Sequence, residues 1–215
     1  MIKMNRSVRI LNTIEEMFPN AKTELYYSNV FELAIAVILS AQTTDVAVNK
    51  LTPALFKKYP DAKSLAVAKQ KDVEEILRTI GLYRNKAKNI ITFANQLVDD
   101  YNGEVPNSKE ELVKLAGVGT KTANVILSEY FKIPAIAVDT HVERVTKRLK
   151  IVRESYSVLE VEKRLQRALP KERWSQAHHS FILFGRYHCM ARNPKCRECP
   201  LTADCKYYTK IKHKL

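Results

Sequence analysis

Apolar residues recur along this chain at the spacing of α-helices rather than of β-strands. Val8, Leu11 and Ile14 lie on one face of a predicted first helix, which ends before Pro19. The nearly continuous apolar run 31–39 predicts a buried helix. No segment alternates between apolar and polar residues in the way that a half-buried strand does. The pattern therefore predicts an all-α protein of about nine or ten helices.

Further periodic segments predict helices over most of the remaining chain. One of them, 46–59, contains Pro53, which we place in the first turn of a helix because proline is tolerated there. Ser108 is a predicted N-cap, and Glu111 three residues later completes the spacing of a capping box. The other predicted helices span 72–79, 86–101, 140–148, 159–169 and 174–187.

The distribution of charge along the chain suggests which kind of partner the protein binds. The chain has a formal net charge of +13. Residues 1–140 contain 18 Lys and Arg against 16 Asp and Glu, whereas residues 141–215 contain 18 against 7. A basic half beside a nearly neutral half favours a nucleic acid, since basic side chains that neutralise phosphates release counterions. On charge alone, a basic solubilising tail and an anionic membrane surface remain open.

Two segments, 80–90 and 116–126, follow a similar order of residues. Each predicts the end of a helix, a tight glycine turn and a second helix with a lysine in its first turn. Two copies are too few for a repeat architecture. They predict two helical corners of similar construction, and both are candidates for contact with DNA.

The apolar runs also bear on the compartment. The N-terminal residues lack the apolar block of a secretory signal, and no run approaches the roughly 20 residues that cross a bilayer. We therefore expect a cytoplasmic protein with reduced cysteines and no membrane partner.

The segment around Lys121 carries the strongest candidate chemistry. Gly117 and Gly119 allow a tight turn, and the N–H groups at the start of the next helix favour an anion such as a phosphate. Glycine spacing alone is equally compatible with an ordinary helical corner that exposes a lysine. Residue identity narrows the choice, because 115–127, LAGVGTKTANVIL, resembles the helix-hairpin-helix of the endonuclease III family of DNA glycosylases.

This resemblance extends through nearly the whole chain. It includes the segment 40–45, SAQTTD, the segment 138–142, VDTHV, which resembles the catalytic-aspartate loop of that family, and the C-terminal cysteines. Two positions depart from the family pattern: Ala116, where proline is common, and Thr120, where a basic residue is common. Neither departure removes a reacting group.

The resemblance implies a base-excision-repair DNA glycosylase with AP lyase activity that removes oxidised or saturated pyrimidines from damaged double-stranded DNA. Lys121 would attack C1′ of a flipped-out nucleotide, displace the base and form a Schiff base from which the 3′ phosphate leaves by β-elimination. Asp139 would stabilise positive charge on the sugar and assist proton transfer. The residues alone favour a helix N-cap at Asp139, with Thr140 and Glu143 at capping-box spacing, and the two roles are compatible.

The four cysteines of the chain all lie in its last 27 residues: Cys189, Cys196, Cys199 and Cys205. Clustered thiols in a reducing compartment predict a metal site, and their spacing leaves zinc and an iron–sulfur cluster open. The resemblance implies a 4Fe–4S cluster with a structural role. Basic side chains in the same loop would then face a phosphate backbone.

Chemistry at C1′ requires the nucleotide to leave the base stack. Gln42 and Leu82 resemble the residues with which the family fills the resulting gap, although each is also explained as an ordinary polar or apolar residue at the end of a helix. The DNA-contacting residues that the resemblance implies are Gln42, Leu82, Gly117, Val118, Gly119, Thr120, Arg192 and Lys195.

The resemblance also implies an architecture. Residues 21–133 would form a six-helix barrel that carries the hairpin, and residues 1–20 would join 134–215 in a second helical domain that carries Asp139 and the cluster. Lys121 and Asp139 would face each other across a cleft between the domains. We expect the protein to act as a monomer associated with the nucleoid.

Two alternatives to a glycosylase that also cleaves the strand remain to be distinguished. A monofunctional mismatch glycosylase would use the aspartate to activate water and would lack a lysine at the hairpin position, so Lys121 argues against it. A non-catalytic helix-hairpin-helix protein with structural zinc would bind DNA without cutting it. Such a protein would be colourless, because Zn²⁺ is d¹⁰.

Overall fold

The computed structural model describes residues 5–214, and within that range the regular structure consists of helices without strands. The predicted all-α class is confirmed. The α-helices are α1 Arg6–Met17, α2 Val30–Leu39, α3 Asp45–Lys58, α4 Ala62–Ala66, α5 Gln70–Leu77, α6 Tyr83–Tyr101, α7 Lys109–Leu112, α8 Thr120–Glu129, α9 Thr140–Arg148, α10 Val158–Ala168, α11 Trp174–Tyr187 and α12 Lys206–Ile211. Short 3-10 helices span Lys171–Arg173, Cys196–Glu198, Thr202–Asp204 and Lys212–Lys214. None of the helices in this range is long and apolar enough to cross a membrane.

Two details of the predicted helices are wrong. Pro53 lies inside α3 rather than in its first turn, because Thr44 caps that helix well upstream and accepts from the Ala47 N–H. The capping box at Ser108 is only half formed. Its hydroxyl accepts from the Glu111 N–H, but the Glu111 carboxylate is bonded to the Tyr101 hydroxyl and to Lys114.

The segment Glu24–Ile133 forms one compact unit, which contains α2–α8. Its central helix is α2, which packs against α3, α6 and α8. This packing explains the apolar run in the sequence, because every residue of α2 from Leu33 to Leu39 is buried. The N-cap Asn29 starts α2 by accepting a hydrogen bond from the Glu32 N–H.

The segments Met1–Thr23 and Pro134–Leu215 form the second unit. In it, α11 packs against both α1 and α9. The apolar core is built by buried residues from these helices and α10, including Ile10, Val142, Val145, Leu165 and Phe181. Two of the cysteines, Cys189 and Cys205, belong to the same core, so the C-terminal loop is packed onto the unit rather than appended to it.

Candidate functional site

The hairpin before α8 is built around a glycine that the structure requires. Gly117 has a φ of 78°, in the left-handed region that favours glycine. A Cβ at this position would lie 2.9 Å from Ile38 Cγ2 on α2 and 3.4 Å from Asn89 Cβ on α6. The Val118 N–H donates to the Leu115 carbonyl and closes the turn. The hairpin is therefore seated directly on the central helix of its unit.

Lys121 is the second residue of α8 and is exposed. The N-cap of this helix is Gly119, which supplies no side-chain acceptor for the first N–H groups, and Thr120 is exposed beside it. Unsatisfied N–H groups at a helix N-terminus carry partial positive charge and suit a phosphate oxygen. The arrangement presents an amine beside a candidate phosphate contact.

Asp139 is the N-cap of α9. Its Oδ1 atom accepts from the N–H groups of His141 and Val142, each at 2.9 Å. The predicted N-cap is therefore present, but the predicted pairing of Thr140 with Glu143 is wrong, because Glu143 forms an ion pair with Lys147 at 2.6 Å. Lys121 and Asp139 belong to different units.

The helix that Asp139 caps is held closely against α11. A Cβ on Gly185 would lie 2.9 Å from His141 Cβ and 3.2 Å from Val145 Cγ2. Arg144 Nη2 donates to the Gly185 carbonyl at 2.7 Å, and its Nε donates to the Cys189 carbonyl at 3.2 Å. Helix α9 thus connects the candidate carboxylate at its start to the cysteine loop near its end.

The four cysteines line one pocket in the second unit, which is partly open to solvent. Two of the sulfurs accept hydrogen bonds. Arg148 Nη1 donates to Cys189 Sγ, and the Tyr208 N–H donates to Cys205 Sγ, both at 3.3 Å. Arg148 also stacks on the Tyr207 ring at 3.8 Å from its centroid. The structure therefore brings together all four residues that the sequence marks as ligands.

The environment of the thiols bears on what the pocket can hold. Burial raises the pKa of Cys199 to about 11, so a thiolate there requires a cationic group to stabilise it. In the part of the chain that the structure describes, no group of three or more His, Cys, Asp or Glu side chains is arranged to hold a metal ion.

The two candidate gap-filling residues lie on turns of the first unit. Gln42 follows α2 with a φ of 54° and is exposed, and Leu82 precedes α6 with a φ of 58° and 59% exposure. Neither is a glycine, so both are held in an unfavourable left-handed conformation. In the second unit, Arg192 and Lys195 are exposed in the loop between the first two cysteines.

A family model described as HhH-GPD superfamily base excision DNA repair protein matches residues 35–171. The chain belongs to this family. Endonuclease III of Bacillus subtilis (strain 168) is 53% identical over 96% of this chain and 94% of its own. A solved non-covalent endonuclease III–DNA complex is 51% identical with a TM-score of 0.95, covering 99% of this chain and 100% of that one. A trapped endonuclease III–DNA covalent intermediate, in an estranged-adenine complex, is 51% identical with a TM-score of 0.94, covering 98% and 100%.

These comparisons confirm the resemblance drawn from the sequence, and the structure explains one departure from the family pattern. At Ala116, where the family commonly has proline, the backbone N–H donates to Gln96 Oε1 at 2.8 Å. Gln96 Nε2 also donates to the Lys114 carbonyl at 3.4 Å. Proline has no N–H to donate. A side chain from α6 therefore restrains the turn that a proline ring would otherwise restrain.

Sequence reasoning missed Arg144 and Arg148. The two arginines bind the carbonyls that lead into the cysteine loop, and Arg148 Nη1 reaches the Met190 carbonyl at 2.8 Å. They lie on one face of α9, four residues apart, and this spacing after the candidate carboxylate Asp139 was the available signal. His178 is buried, and its Nδ1 atom lies 2.7 Å from the Ala137 carbonyl.

Proposed function

We propose that this base-excision DNA glycosylase removes oxidised or saturated pyrimidines from duplex DNA and then cleaves the strand, with Lys121 as the nucleophile. The observation that carries the proposal is the exposed lysine in the first turn of α8, next to Gly119, where a Cβ would have no atom within 4 Å. The similarity to an endonuclease III–DNA covalent intermediate supports a covalent mechanism. The DNA of the nucleoid would be its place of action.

The first step is displacement of the base. The uncharged amine of Lys121 forms a bond to C1′ while the bond from C1′ to the base nitrogen breaks, and the departing base takes up a proton. An amine is suited to this step because its covalent adduct divides one difficult reaction into two easier ones. The exposed position of Lys121 allows a flipped-out nucleotide to reach Nζ.

The second step is cleavage of the strand. Opening of the sugar ring converts the adduct at C1′ into a Schiff base, whose positive charge acidifies the protons on C2′. Loss of a C2′ proton then expels the 3′ phosphate by β-elimination. Water finally hydrolyses the Schiff base and returns Lys121 as a free amine.

Asp139 would act on the charge that develops in the first step. Loss of the base places positive charge on the sugar, and a nearby carboxylate stabilises it. The two N–H groups that bond Oδ1 fix the orientation of the carboxylate, because they belong to the first turn of α9. The capping role and the catalytic role are therefore compatible in one side chain.

The remaining proposed contacts divide between phosphate and base. The backbone of Gly117–Thr120 and the side chains of Arg192 and Lys195 would bind phosphates, which position the protein without reading sequence. Gln42 and Leu82 would enter the helix where the damaged nucleotide has left it. Their exposure on turns of the first unit supports this role.

The four cysteines that line this pocket would hold a 4Fe–4S cluster, which the resemblance to the endonuclease III family implies. Hydrogen bonds from Arg148 and Tyr208 to two sulfurs are of the kind that stabilise cluster thiolates. Bound by the four cysteines, the cluster would fix the loop that presents Arg192 and Lys195.

The identity of the cofactor is tested on the purified protein. We expect a brown protein with visible absorption and equal amounts of iron and acid-labile sulfide, since an iron–sulfur cluster is coloured. A colourless preparation that contains stoichiometric zinc would contradict the cluster and would favour the zinc alternative.

The nucleophile is tested by borohydride reduction in the presence of duplex DNA that contains 5,6-dihydrothymine. The wild-type protein and the surface variant Lys71→Ala should form a covalent adduct, and Lys121→Ala should form none. An adduct of unchanged yield in Lys121→Ala would overturn the assignment. Base release without strand cleavage by the wild type would instead support the monofunctional alternative.

The carboxylate is tested by Asp139→Asn, which keeps an oxygen that can accept from the N–H groups of α9. Base release should fall by roughly a hundredfold or more while binding to DNA persists, because the amide cannot stabilise positive charge. Loss of binding together with loss of folding would show that the capping role alone explains Asp139.

A further inference from the structure

Lys86 is the only lysine or arginine buried among residues 5–213, with 5% of its surface exposed. It lies in the first turns of α6 and has no role in the chemistry proposed above. Its Nζ atom donates to Thr43 Oγ1 at 2.5 Å. Burial lowers the pKa of Lys86, because a buried ammonium group loses the stabilisation that water provides.

The partner of this ammonium lies next to one of the candidate gap-filling residues. The Thr43 hydroxyl accepts from Lys86 and lies within 3.5 Å of the Ala41 carbonyl, to which it donates. These two bonds connect the residues on either side of Gln42 to each other and to α6. Such restraint is needed, because a non-glycine residue at a φ of 54° is strained and persists only where its surroundings hold it.

The backbone of Lys86 holds the other gap-filling residue. Its N–H donates to the carbonyl of Leu82 at 3.0 Å, four residues earlier, and this bond begins α6. One residue thus connects both strained turns, Leu82 through its main chain and Gln42 through its side chain and Thr43. Lys71 on α5 is exposed and lies outside both corners.

We propose that Lys86 is a positioning residue that holds Gln42 and Leu82 at a fixed spacing, so that both enter the DNA together. The proposal rests on the function proposed above, in which those two side chains fill the gap left by the flipped nucleotide. A fixed spacing matters because a displacement of about 1 Å at a reacting centre lowers a rate by up to roughly a hundredfold.

The test uses substrates that differ in whether a gap must be filled. Lys86→Met keeps the length of the side chain and removes its charge. Its single-turnover excision of dihydrothymine from duplex DNA should fall roughly tenfold or more. Cleavage of a single-stranded abasic oligonucleotide, which has no partner strand to separate, should stay within about twofold. Lys71→Met is the matched control and should equal the wild type in both assays.

A second pair of variants separates positioning from folding. Thr43→Val should reproduce the duplex defect, Thr43→Ser should restore the wild-type rate, and the double variant Thr43→Val with Lys86→Met should be no slower than either single variant. The melting temperature of Lys86→Met should equal or exceed that of the wild type, because an ammonium group is no longer buried. A residue that served only the fold would lower the melting temperature and both activities alike.

The outcomes also separate this inference from the function on which it rests. Absence of excision by the wild-type protein would overturn the proposed function. Normal excision by the wild type and an unchanged duplex rate in both Lys86→Met and Thr43→Val would overturn only the role of Lys86. Additive losses in the double variant would likewise contradict a shared link between the two turns.

Discussion

The two helical corners that look alike in the sequence use their residues in opposite ways. In the corner of 80–90, the apolar turn residue Leu82 is exposed and the lysine, Lys86, is buried. In the corner of 116–126, the apolar turn residue Val118 is buried and the lysine, Lys121, is exposed. The first corner presents an apolar side chain to solvent, and the second presents an amine. Similar order along the chain therefore leads to different chemistry once packing decides which side chain faces solvent.

The glycines of the two corners differ in the same manner. A Cβ on Gly117 would collide with Ile38, whereas a Cβ on Gly81 would have no atom within 4 Å. The left-handed conformation belongs to the glycine in the second corner and to Leu82 in the first. The second corner requires Gly117 because its backbone approaches α2 closely. In the first corner the strained residue is Leu82, which the proposed function uses.

The largest expected difference concerns the two lysines. Lys121→Ala should lower single-turnover strand cleavage by roughly three orders of magnitude or more, since a nucleophile is removed. Lys86→Met should retain cleavage of single-stranded abasic DNA, since only positioning is lost. The rate at which each variant cleaves single-stranded abasic DNA is measured in parallel to test this difference. Equal loss of single-strand cleavage in the two variants would refute the division of roles.

The next expected effect is on stability. Gly117→Ala should lower the free energy of unfolding by about 2–3 kcal/mol, because it combines a left-handed φ with a Cβ contact of 2.9 Å to a buried side chain. Gly81→Ala should change it by less than about 0.5 kcal/mol or raise it slightly. Urea unfolding of both variants checks this, and similar midpoints for the two would contradict the packing difference.

The apolar turn residues should separate activity from stability. Val118→Ala should lower the free energy of unfolding by about 1–2 kcal/mol, because it removes buried methyl groups. Leu82→Ala, at an exposed position, should leave stability within about 0.5 kcal/mol and should slow excision from duplex DNA. Thermal unfolding and duplex excision are measured on both variants. A stability loss in Leu82→Ala equal to that in Val118→Ala would assign Leu82 to the core.

The smallest expected effect concerns the turn before Gly117. Gln96→Ala should cost about 0.5–1.5 kcal/mol, since the Ala116 N–H loses its acceptor. Ala116→Pro should be destabilising or neutral in the wild type, because it removes the N–H that donates to Gln96. Combined with Gln96→Ala it should be stabilising, because that hydrogen bond is already absent and the proline ring restrains the turn. A double-mutant cycle followed by urea unfolding measures this coupling. Additive effects would show that the side chain and the proline ring do not replace each other.

Much of the helical framework was accessible from the sequence because its signals are local. The apolar run at 31–39 predicted the central helix α2, and the spacing of Val8, Leu11 and Ile14 predicted α1. The interior position of Pro53 was not predicted, because burial of Val48, Leu51 and Leu55 on α3 outweighs the local preference for a first turn. The short helices α4 and α7 have too few residues to show a period.

For the candidate site, too, some features could be predicted from the sequence and others depended on the tertiary structure. The sequence by itself determined the residue types that carry chemistry: an amine in a glycine turn at Lys121, a carboxylate at the start of a helix at Asp139, and four clustered thiols. Only the tertiary structure decided that Gln96 replaces a proline ring, that Arg148 reaches a cysteine sulfur, and that Lys86 is buried while Lys121 is exposed. These outcomes depend on partners that lie between 20 and 43 residues away along the chain. Local patterns in a sequence specify which groups are present, whereas burial and long-range contacts specify which of them are available to react.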